Sequence, residues 1–253
     1  MHNLYIVVPV YDESLNLLTL FEAFRRLDNS LSEKFNLLFL LIDDGSTDGT
    51  AELAVTLADN LNLEVLIHPI NRGPGAAFAT AFIKIHSYIL ATDWVITMEG
   101  DNTSRIELIQ QMIHRTQEGF DIVLASPYMY GGGFTQTSFL RKFLSSGANL
   151  LVKDLLDIQG ILTVSSFFRL YSGNSIIKLQ KSFGPGIVER VGFESMVEMV
   201  MKMTMLKLSI SEVAMQLDSS MRKGKSKMKI MRTIRGYFSL WLKKKEWQKN
   251  ISL

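Results

Sequence analysis

Clusters of polar residues follow four short apolar runs in the first half of the chain. These clusters are Asp12-Glu13, Asp43-Asp44, Asn71-Arg72-Gly73 and Glu99-Gly100-Asp101. Carboxylates accept hydrogen bonds from ribose hydroxyls or base N–H groups, and two acids one residue apart suit a hard cation such as Mg²⁺ or Mn²⁺. Any one cluster is typical of an ordinary polar loop. Four clusters, three of them with carboxylates, predict a ligand site.

Glu99 and Asp101 are the candidates for metal ligation. Mg²⁺ and Mn²⁺ bind substrate phosphates together with one or two carboxylates, so a cation held here would neutralise a diphosphate and help it to leave. Ser104 and Glu107 fit a capping box, which predicts that the next helix begins at this point. Without a metal, the same residues are simply two acids of a loop, and their spacing alone does not separate the two interpretations.

Two segments could bind phosphate. Asn71-Arg72-Gly73 precedes Gly75, which would allow close backbone approach at the N-terminus of an alanine-rich helix, where phosphate is favoured. A helix-initiating turn with a surface arginine is the equally good alternative. The second segment is a basic loop with Arg222, Lys223, Lys225, Lys227 and Lys229. Its positive field would attract a polyphosphate, although a solvated run of charge explains it as well.

The apolar patterns around the polar clusters alternate between strand and helix. Strands are predicted at residues 5–10, 37–42, 63–68, 94–98 and 121–125, and helices at residues 14–27, 51–61, 75–90 and 106–118. This alternation predicts right-handed βαβ units and an α/β fold with a mostly parallel sheet flanked by helices. Because ligands bind beyond the carboxyl ends of such strands, we expect the four clusters at one rim of the sheet.

The second half of the chain has a looser pattern. We predict helices at residues 137–156, 193–206 and 228–245, a strand at 207–216, and a strand or irregular segment at 163–170. Glu194 and Glu198 lie four residues apart on one helix face. Either could be the general base for a hydroxyl acceptor or could orient Arg222, whereas a phosphate acceptor needs no base. Three histidines without an acid partner at a useful spacing are predicted to be structural: His68, His86 and His114.

Charge is distributed unevenly along the 253 residues. Residues 222–249 carry 11 basic side chains and the single acid Glu246, a net charge of +10, whereas the rest carries 16 basic and 24 acidic side chains, a net charge of −8. The amphipathic helix predicted at 228–245 suits the face of an anionic membrane, and packing on the sheet is the alternative. The chain has no recognised nucleic-acid-binding module, so we expect no nucleic-acid partner.

The absence of cysteine excludes disulfides, a thiol nucleophile and a thiolate metal site. No apolar stretch approaches the ~18–20 residues needed to span a bilayer, and the N-terminal apolar run indicates a strand rather than a signal peptide. We therefore expect a cytoplasmic protein that does not span a membrane. A peripheral position at the inner face of the membrane stays open.

The order of the four motifs resembles a known enzyme family. In chain order they are Val8-Pro9-Val10-Tyr11-Asp12-Glu13, Asp43-Asp44-Gly45-Ser46-Thr47-Asp48-Gly49-Thr50, Asn71-Arg72-Gly73 and Glu99-Gly100-Asp101. Over roughly its whole length the chain is similar to the inverting family 2 glycosyltransferases, which have the Rossmann-like GT-A fold and use nucleotide sugars. It looks most like the dolichyl- or polyprenyl-phosphate mannosyltransferases because of three later segments: Ser165-Ser166-Phe167-Phe168-Arg169, Phe193-Glu194-Ser195-Met196-Val197-Glu198 and Arg222-Lys223-Gly224-Lys225-Ser226-Lys227.

The resemblance implies a role for each matched position. The donor-binding residues would be Pro9, Tyr11, Glu13, Asp43, Asp44, Arg72, Glu99, Arg222, Ser226 and Lys227. The first three would surround the nucleotide base, and Asp44 would lie near the base or the ribose. Glu99 and Asp101 match the two acids of the metal motif. Arg222 and the rest of its loop match a segment that meets the phosphates of donor and acceptor.

Three positions depart from the family pattern. Glu99 stands where the lipid-phosphate enzymes usually have Asp, Pro74 where the family often has Lys, and Thr163 where an Asp usually precedes the Thr-Ser-Gly-Phe-Arg segment. The longer Glu99 side chain would shift the metal or leave Asp101 as its main ligand. Pro74 removes one phosphate contact. These departures bear on the sugar and the acceptor more than on the reaction class.

The sequence thus predicts a metal-dependent glycosyltransferase that moves a sugar, with inversion, from a GDP- or UDP-linked donor to a polyprenyl phosphate. The catalytic candidates are Asp101, Glu194, Glu198 and Arg222, and the cofactor would be Mg²⁺ or Mn²⁺. Residues 1–221 would form the glycosyltransferase domain, with residues 222–253 as a basic loop and helix packed on it or continuous with it. Transfer to a glycan hydroxyl in cell-envelope biosynthesis and non-catalytic binding of a nucleotide sugar are the two alternatives.

Overall fold

The computed structural model describes residues 1–136, 149–150, 152–224 and 230–251. Within these residues seven strands form the central sheet: β1 His2–Val10, β2 Phe35–Asp43, β3 Leu63–Ile67, β4 Trp94–Thr97, β5 Ile122–Ser126, β7 Arg169–Ser172 and β8 Ile210–Ala214. Two short strands, β6 Gly133–Thr135 and β9 Gln216–Asp218, pair with each other. The order across the central sheet is β3-β2-β1-β4-β7-β5-β8.

Neighbouring strands of the sheet are parallel except around β7, which runs antiparallel to both β4 and β5. The predicted mostly parallel sheet is therefore confirmed. The segment predicted as strand or irregular at 163–170 becomes a strand only at Arg169. The strand predicted at 207–216 is divided into β8 and β9, which separate at the buried Met215.

The helices are α1 Ser14–Leu31, α2 Thr50–Leu57, α3 Pro74–His86, α4 Leu108–Gln117, α5 Gly173–Phe183, α6 Ser195–Met205 and α7 Ile230–Ile251. The first four end within about one turn of their predicted bounds. Helix α5 was not predicted, although Ser172 caps it by accepting the N–H of Ser175 at 3.1 Å. Most of the helix predicted at 137–156 lies outside the described residues. The part of it that the structure describes, residues 149–150 and 152–156, is helical.

Apolar side chains cover both faces of the sheet, as expected for strands flanked by helices. Along β1, Leu4 and Ile6 point to a cluster with α1 and α4, and Tyr5 and Val7 point to a cluster with α3 and α6. These strand residues are at most 3% exposed. Because both layers are closely packed, the strands form a rigid base for the loops that follow them.

Helix α7 packs one face on the core and leaves another in solvent. Leu240 and Trp247 are at most 2% exposed, so α7 packs on the core. This packing was one of the two interpretations of the helix. Phe238 and Trp241 of the same helix are 61% and 45% exposed. Among the described residues, no helix is both long and apolar enough to span a bilayer.

Candidate active site

A cavity of about 560 Å³ lies where the loops after β1, β2, β3 and β4 meet the second half of the chain. We call one side of it the N-terminal wall, formed by Pro9, Val10, Tyr11, Glu13, Asp44, Asn71, Gly73 and Pro74. We call the lining residues from the second half of the chain the C-terminal wall, formed by Ser165, Phe167, Gly192, Phe193, Glu194 and Thr233. Glu99 and Asp101, the acid pair, complete the lining together with Gly100 and Arg222.

Most of the predicted site residues meet in this cavity. Eight of them line it: Pro9, Tyr11, Glu13, Asp44, Glu99, Asp101, Glu194 and Arg222. Three that the structure describes are not part of the lining, namely Asp43, Arg72 and Glu198. Ser226 and Lys227 lie outside the described residues.

Asp44 fixes the turn that follows β3. Its carboxylate is buried and accepts the backbone N–H of Arg72 at 3.0 Å and of Gly73 at 2.6 Å. The Nδ1 atom of His68 lies 2.7 Å from the same carboxylate, and Nε2 lies 2.9 Å from Thr80 Oγ1. The expectation that His68 has no acid partner is therefore wrong. Parallel pairing of β2 with β3 sets Asp43 opposite Ile67, so the next residues along the two strands meet.

Asp43 shapes its own loop rather than the cavity. It is 1% exposed and accepts the N–H of Ser46 at 2.7 Å. Gly45 beside it has a φ of +76°, and a Cβ atom there would lie 2.5 Å from the carbonyl carbon of Ile70. Glycine is required at this position for both reasons. The loop that contains Asp43 and Gly45 places Asp44 in the N-terminal wall.

The N-terminus of α3 is occupied by protein, not left open to phosphate. The backbone N–H of Gly75 donates to the carbonyl of Val191 at 2.8 Å, and a Cβ atom at Gly75 would lie 1.9 Å from the carbonyl oxygen of Arg190. Gly75 thus allows close approach to another part of the chain. Arg72 contributes its backbone N–H to Asp44, while its side chain is exposed. The predicted phosphate role of this turn is not supported.

The acid pair is held by neighbouring hydroxyl groups. Asp101 Oδ1 accepts the hydroxyl of Thr103 at 2.6 Å, and Ser104 donates its hydroxyl to Glu99 Oε2. The capping box predicted for Ser104 and Glu107 is therefore wrong, because the serine hydroxyl is used by Glu99 and α4 begins at Leu108. Loss of hydration, with the nearby charge of Asp101 as a second cause, raises the pKa of Glu99.

Arg222 pairs with Asp101 across 121 positions of sequence. Its Nε donates to Asp101 Oδ2 at 2.5 Å, and its Nη2 forms a salt bridge with the same oxygen. Both side chains are largely buried, with 23% and 10% of their surface exposed. One suggestion from the sequence is that Glu194 or Glu198 orients Arg222. In the described contacts Asp101 orients it instead, so that suggestion is wrong.

Glu194 and Glu198 have different surroundings although they share a helix face. Glu198 is fully buried, accepts the N–H groups of Glu189 and Arg190, and pairs with Lys202 at 2.7 Å. Loss of hydration raises the pKa of Glu198, although these contacts act to lower it. Glu194 lies at the cavity, and its Oε2 has no hydrogen-bond partner among the described residues. Only Glu194 of the two is positioned to meet a ligand.

Asn16 is a site residue that the sequence analysis missed. Its side chain donates to Glu13 Oε2 at 2.5 Å and to the carbonyl of Lys223 at 3.0 Å, and it accepts the N–H of Lys223 at 2.9 Å. It therefore ties the start of the basic loop to the N-terminal wall. A signal was present, because position 16 lies one turn before Leu20 on the buried face of α1, where a polar residue is unusual.

Lys202 is a second residue that sequence reasoning missed. Its ammonium group is fully buried and donates to the carbonyl of Ile187, to Glu189 and to Glu198, at 2.7–3.0 Å. The Trp247 ring lies 4.7 Å from this nitrogen, and the indole N–H donates to Glu189. The group joins α6, α7 and the segment that leads into the C-terminal wall. A lysine within a run of methionines was the available signal.

Comparison with known proteins identifies the family of this chain. Residues 5–179 match the model of Glycosyl transferase family 2, about two thirds of the chain. The chain belongs to glycosyl transferase family 2. The dolichol-phosphate mannosyltransferase of Pyrococcus furiosus is 28% identical to this family 2 chain over 202 residues, which cover 78% of the chain and 52% of the relative.

Two further proteins extend the comparison. The dolichyl-phosphate beta-glucosyltransferase of Dictyostelium discoideum is 27% identical over 221 residues, 84% of this chain and 66% of the relative. The family 2 chain therefore spans about half to two thirds of these relatives. A mannosyltransferase of Pyrobaculum calidifontis, solved with GDP-Man and Mn²⁺, superposes with a TM-score of 0.55 at 16% identity, covering 95% of this chain and 64% of the other. The predicted family, the GT-A fold and the likeness to polyprenyl-phosphate sugar transferases are confirmed.

Proposed function

We propose that this chain is an enzyme that transfers a sugar, with inversion, from a nucleoside-diphosphate donor to a polyprenyl phosphate. The observation that carries the proposal is the convergence of the N-terminal wall, the acid pair and Arg222 on one cavity. The dolichol-phosphate mannosyltransferase and the dolichyl-phosphate beta-glucosyltransferase, both named for lipid-phosphate substrates, support this acceptor class.

Glu99 and Asp101 would hold a Mg²⁺ or Mn²⁺ ion. Burial raises the pKa of Glu99 most and the charge of Asp101 raises it further, and a cation would relieve this repulsion. In the described part of the chain no three acidic or histidine side chains converge as a metal site, so phosphate oxygens and water would complete the coordination. A bound cation supplies charge neutralisation for the diphosphate leaving group. The Mn²⁺ complex of the Pyrobaculum mannosyltransferase supports this choice of metal.

The donor would lie along the N-terminal wall. Pro9, Tyr11 and Glu13 would surround the base, and Asp44 would set the shape of the wall through the turn that it holds. Arg222 would contribute a planar guanidinium to the diphosphate, a geometry that suits phosphate oxygens. Ser226 and Lys227, which lie outside the described residues, remain proposed partners of the same phosphates.

The acceptor would be an anion, so the transfer needs no general base. A phosphate oxygen would attack the anomeric carbon from the face opposite the leaving group, forming a new C–O bond. The bond between that carbon and the diphosphate would break, and its electron pair would leave with the nucleoside diphosphate. Glu198 is not required for this reaction and is already bonded to Lys202. A glycan hydroxyl acceptor would require a base, for which Glu194 is the remaining candidate.

We propose that residues 222–253 belong to the same functional unit as residues 1–221. Thr233 of α7 lines the cavity, and Lys243 donates to Glu189 at 2.7 Å. On the solvent side of α7, Phe238, Trp241 and Leu242 are exposed beside basic residues. This combination favours an anionic membrane surface, and therefore a cytoplasmic protein that binds peripherally to the inner face of the membrane.

A transfer assay tests the proposed function. The purified chain is incubated with Mn²⁺, a short-chain polyprenyl phosphate and, in turn, GDP-mannose, UDP-glucose or UDP-GlcNAc. Mass spectrometry should detect one glycosylated lipid phosphate, and NMR should find the inverted anomeric configuration. A product formed only on an oligosaccharide would favour the glycan acceptor. Donor binding without any transfer would favour the non-catalytic alternative.

The membrane position has a separate test. The double variant Phe238→Ser/Trp241→Ser should lose sedimentation with vesicles that contain phosphatidylglycerol and should keep its thermal stability. Binding equal to that of the wild type would contradict a role of α7 at the membrane.

A further inference from the structure

Glu194 is a buried carboxylate whose hydrogen bonds are incomplete. It is 7% exposed and lies on the C-terminal wall, and its Oε2 has no partner among the described residues. Burying a charged oxygen without a partner costs free energy, so such groups are rare and usually have a function. Here the carboxylate lies beside a cavity of about 560 Å³ that a ligand can enter.

Two glycines from different elements make room for this carboxylate. A Cβ atom at Gly192 would lie 2.4 Å from Glu194 Oε2, and a Cβ atom at Gly236 of α7 would lie 2.7 Å from Glu194 Cδ. Any side chain at either position would push the carboxylate out of its place. The position of Glu194 is therefore built by the segment before α6 and by α7 together.

The incomplete hydrogen bonding extends to the neighbours of Glu194. Five buried side-chain atoms lack a partner in the described residues, and three of them belong to Arg190, Glu194 and Ser195. Burial, with the charge of Glu194 as the second cause, raises the pKa of Tyr237 to about 12. The tyrosine therefore stays neutral near the carboxylate at physiological pH. Of the five atoms, only the Glu194 oxygen belongs to a residue that lines the cavity, so Glu194 is the group whose hydrogen bonds a ligand would complete.

Two aromatic rings lie in the same wall. Phe167 and Phe193 stack with their centroids 5.4 Å apart and an interplanar angle of 14°. Aromatic faces suit the C–H surface of a sugar ring, and a carboxylate accepts hydrogen bonds from hydroxyl groups. A phosphate is a poor match for Glu194, because two anions would repel. The chemistry of this wall therefore suits a neutral hexose.

We propose that Glu194 recognises the transferred sugar by accepting hydrogen bonds from its hydroxyl groups. In this role Glu194 is a specificity-determining residue, and it removes no proton from the acceptor. The inference rests on the proposed function, because it takes the sugar of a nucleotide donor as the ligand. It assigns the C-terminal wall to the sugar and leaves the nucleotide to the N-terminal wall.

Calorimetric titration of paired ligands tests this assignment. The wild type, Glu194→Gln and Glu194→Ala are titrated, with Mn²⁺ present, with GDP-mannose against GDP and with UDP-glucose and UDP-GlcNAc against UDP. The wild type should bind at least one nucleotide sugar more tightly than the nucleotide alone. Both variants should lose about tenfold of that affinity and should bind the nucleotide alone as the wild type does. The exposed Glu107→Gln serves as the control and should change neither.

Two further measurements separate sugar recognition from a structural role. Glu194→Gln should melt at the same temperature as the wild type or a higher one, because an uncompensated charge is removed. Glu198→Gln, four residues along the same helix, should melt at a lower temperature. In the transfer assay, Glu194→Gln should raise KM for the donor more than it lowers kcat.

Three results would overturn the assignment. They are equal sugar affinity in the wild type and Glu194→Gln, an equal loss for the nucleotide alone, and no sugar-dependent affinity in the wild type. Failure of the proposed function gives a different outcome. In that case the wild type forms no glycosylated lipid, while the titrations still report whether Glu194 contacts the sugar.

Discussion

The two walls of the cavity differ in how their carboxylates are bonded. On the N-terminal wall, Asp44 accepts two backbone N–H groups and contacts a histidine ring, so its oxygens are fully occupied. On the C-terminal wall, Glu194 has an oxygen without a partner among the described residues. Asp44 is fully bonded without a ligand, whereas Glu194 keeps one oxygen that the proposed sugar would bond.

From this difference we infer that the two walls bind different parts of a nucleotide sugar. Carboxylates that hold backbone turns give the N-terminal wall a fixed shape, which suits a nucleotide that is common to many donors. The unpaired Glu194 oxygen on the C-terminal wall can select among sugars that differ in single hydroxyl groups, because an unpaired buried polar group penalises the wrong ligand. The predictions below test this division, in order of decreasing effect.

Lys202 bonds to the segment that leads into the C-terminal wall, so its removal should have the largest effect on stability. Lys202→Met leaves the buried Glu198 without its cation, while Glu189 keeps its ion pair with Lys243, and we expect the free energy of unfolding to fall by ~3–5 kcal/mol. Urea unfolding measures this change. Lys178→Met, an exposed lysine on α5, is the control and should change stability by less than ~0.5 kcal/mol. A comparable loss in both variants would contradict a supporting role for Lys202.

Asp101 belongs to neither wall, and it should govern activity rather than stability. Asp101→Asn removes a proposed metal ligand and the partner of Arg222. We expect kcat to fall by about 10²–10³-fold, the size typical for loss of one group that stabilises transition-state charge. Steady-state assays with varied Mn²⁺ measure it, with the exposed Asp154→Asn as the control. An unchanged dependence on Mn²⁺ would contradict the metal assignment.

His68 tests whether the N-terminal wall depends on its buried hydrogen bonds. His68→Phe removes the ring nitrogen next to Asp44, and we expect stability to fall by ~1–3 kcal/mol. Titration with GDP or UDP should find weaker binding, because the turn at Gly73 is less firmly held. His86→Phe, exposed at the end of α3, should change neither quantity. If His68→Phe is destabilised but binds the nucleotide as tightly as the wild type, then nucleotide binding does not depend on these buried hydrogen bonds.

Glu189 should give the smallest effect, a loss of stability as the pH falls. Burial opposes its ionisation, but hydrogen bonds from Lys243 and Lys202 prevail and lower its pKa from 4.5 to about 2. The stability that the carboxylate contributes is present above pH 4.5 and is lost as the pH falls toward 2. Urea midpoints at pH 5 and pH 3 should therefore differ less in Glu189→Gln than in the wild type. The same pH dependence in both proteins would contradict this contribution.

Much of the fold could be predicted from the sequence. Apolar runs followed by polar clusters located β1 to β5 and the four helices between them, because strand and helix periodicities are local properties. Residues 163–170 were predicted as a strand or irregular segment, but the antiparallel direction of β7 was not predicted, since a four-residue buried run has no periodicity to distinguish its direction. The acid pair was also predictable, because both acids lie within one short loop.

The partners of the site residues were less predictable. Ser104 was assigned to a helix cap because the local pattern fits one, yet its hydroxyl bonds to Glu99. For Gly75, phosphate binding and a helix-initiating turn were equal alternatives, and its N–H bonds to the carbonyl of Val191. In both cases the sequence identified a group able to form a hydrogen bond. The competing partner came from a side chain or backbone that only the folded chain brings close.

The sequence by itself determined the family, the order of strands and helices in the first half of the chain, and the loops that carry the polar residues. Only the tertiary structure decided which carboxylates are already bonded and which are free to meet a ligand. Asp44 meets a ring 24 positions away, and Asp101 meets a guanidinium 121 positions away. The physical reason is that a hydrogen bond acts over about 3 Å, whereas the residues that compete for it are spread over the whole chain.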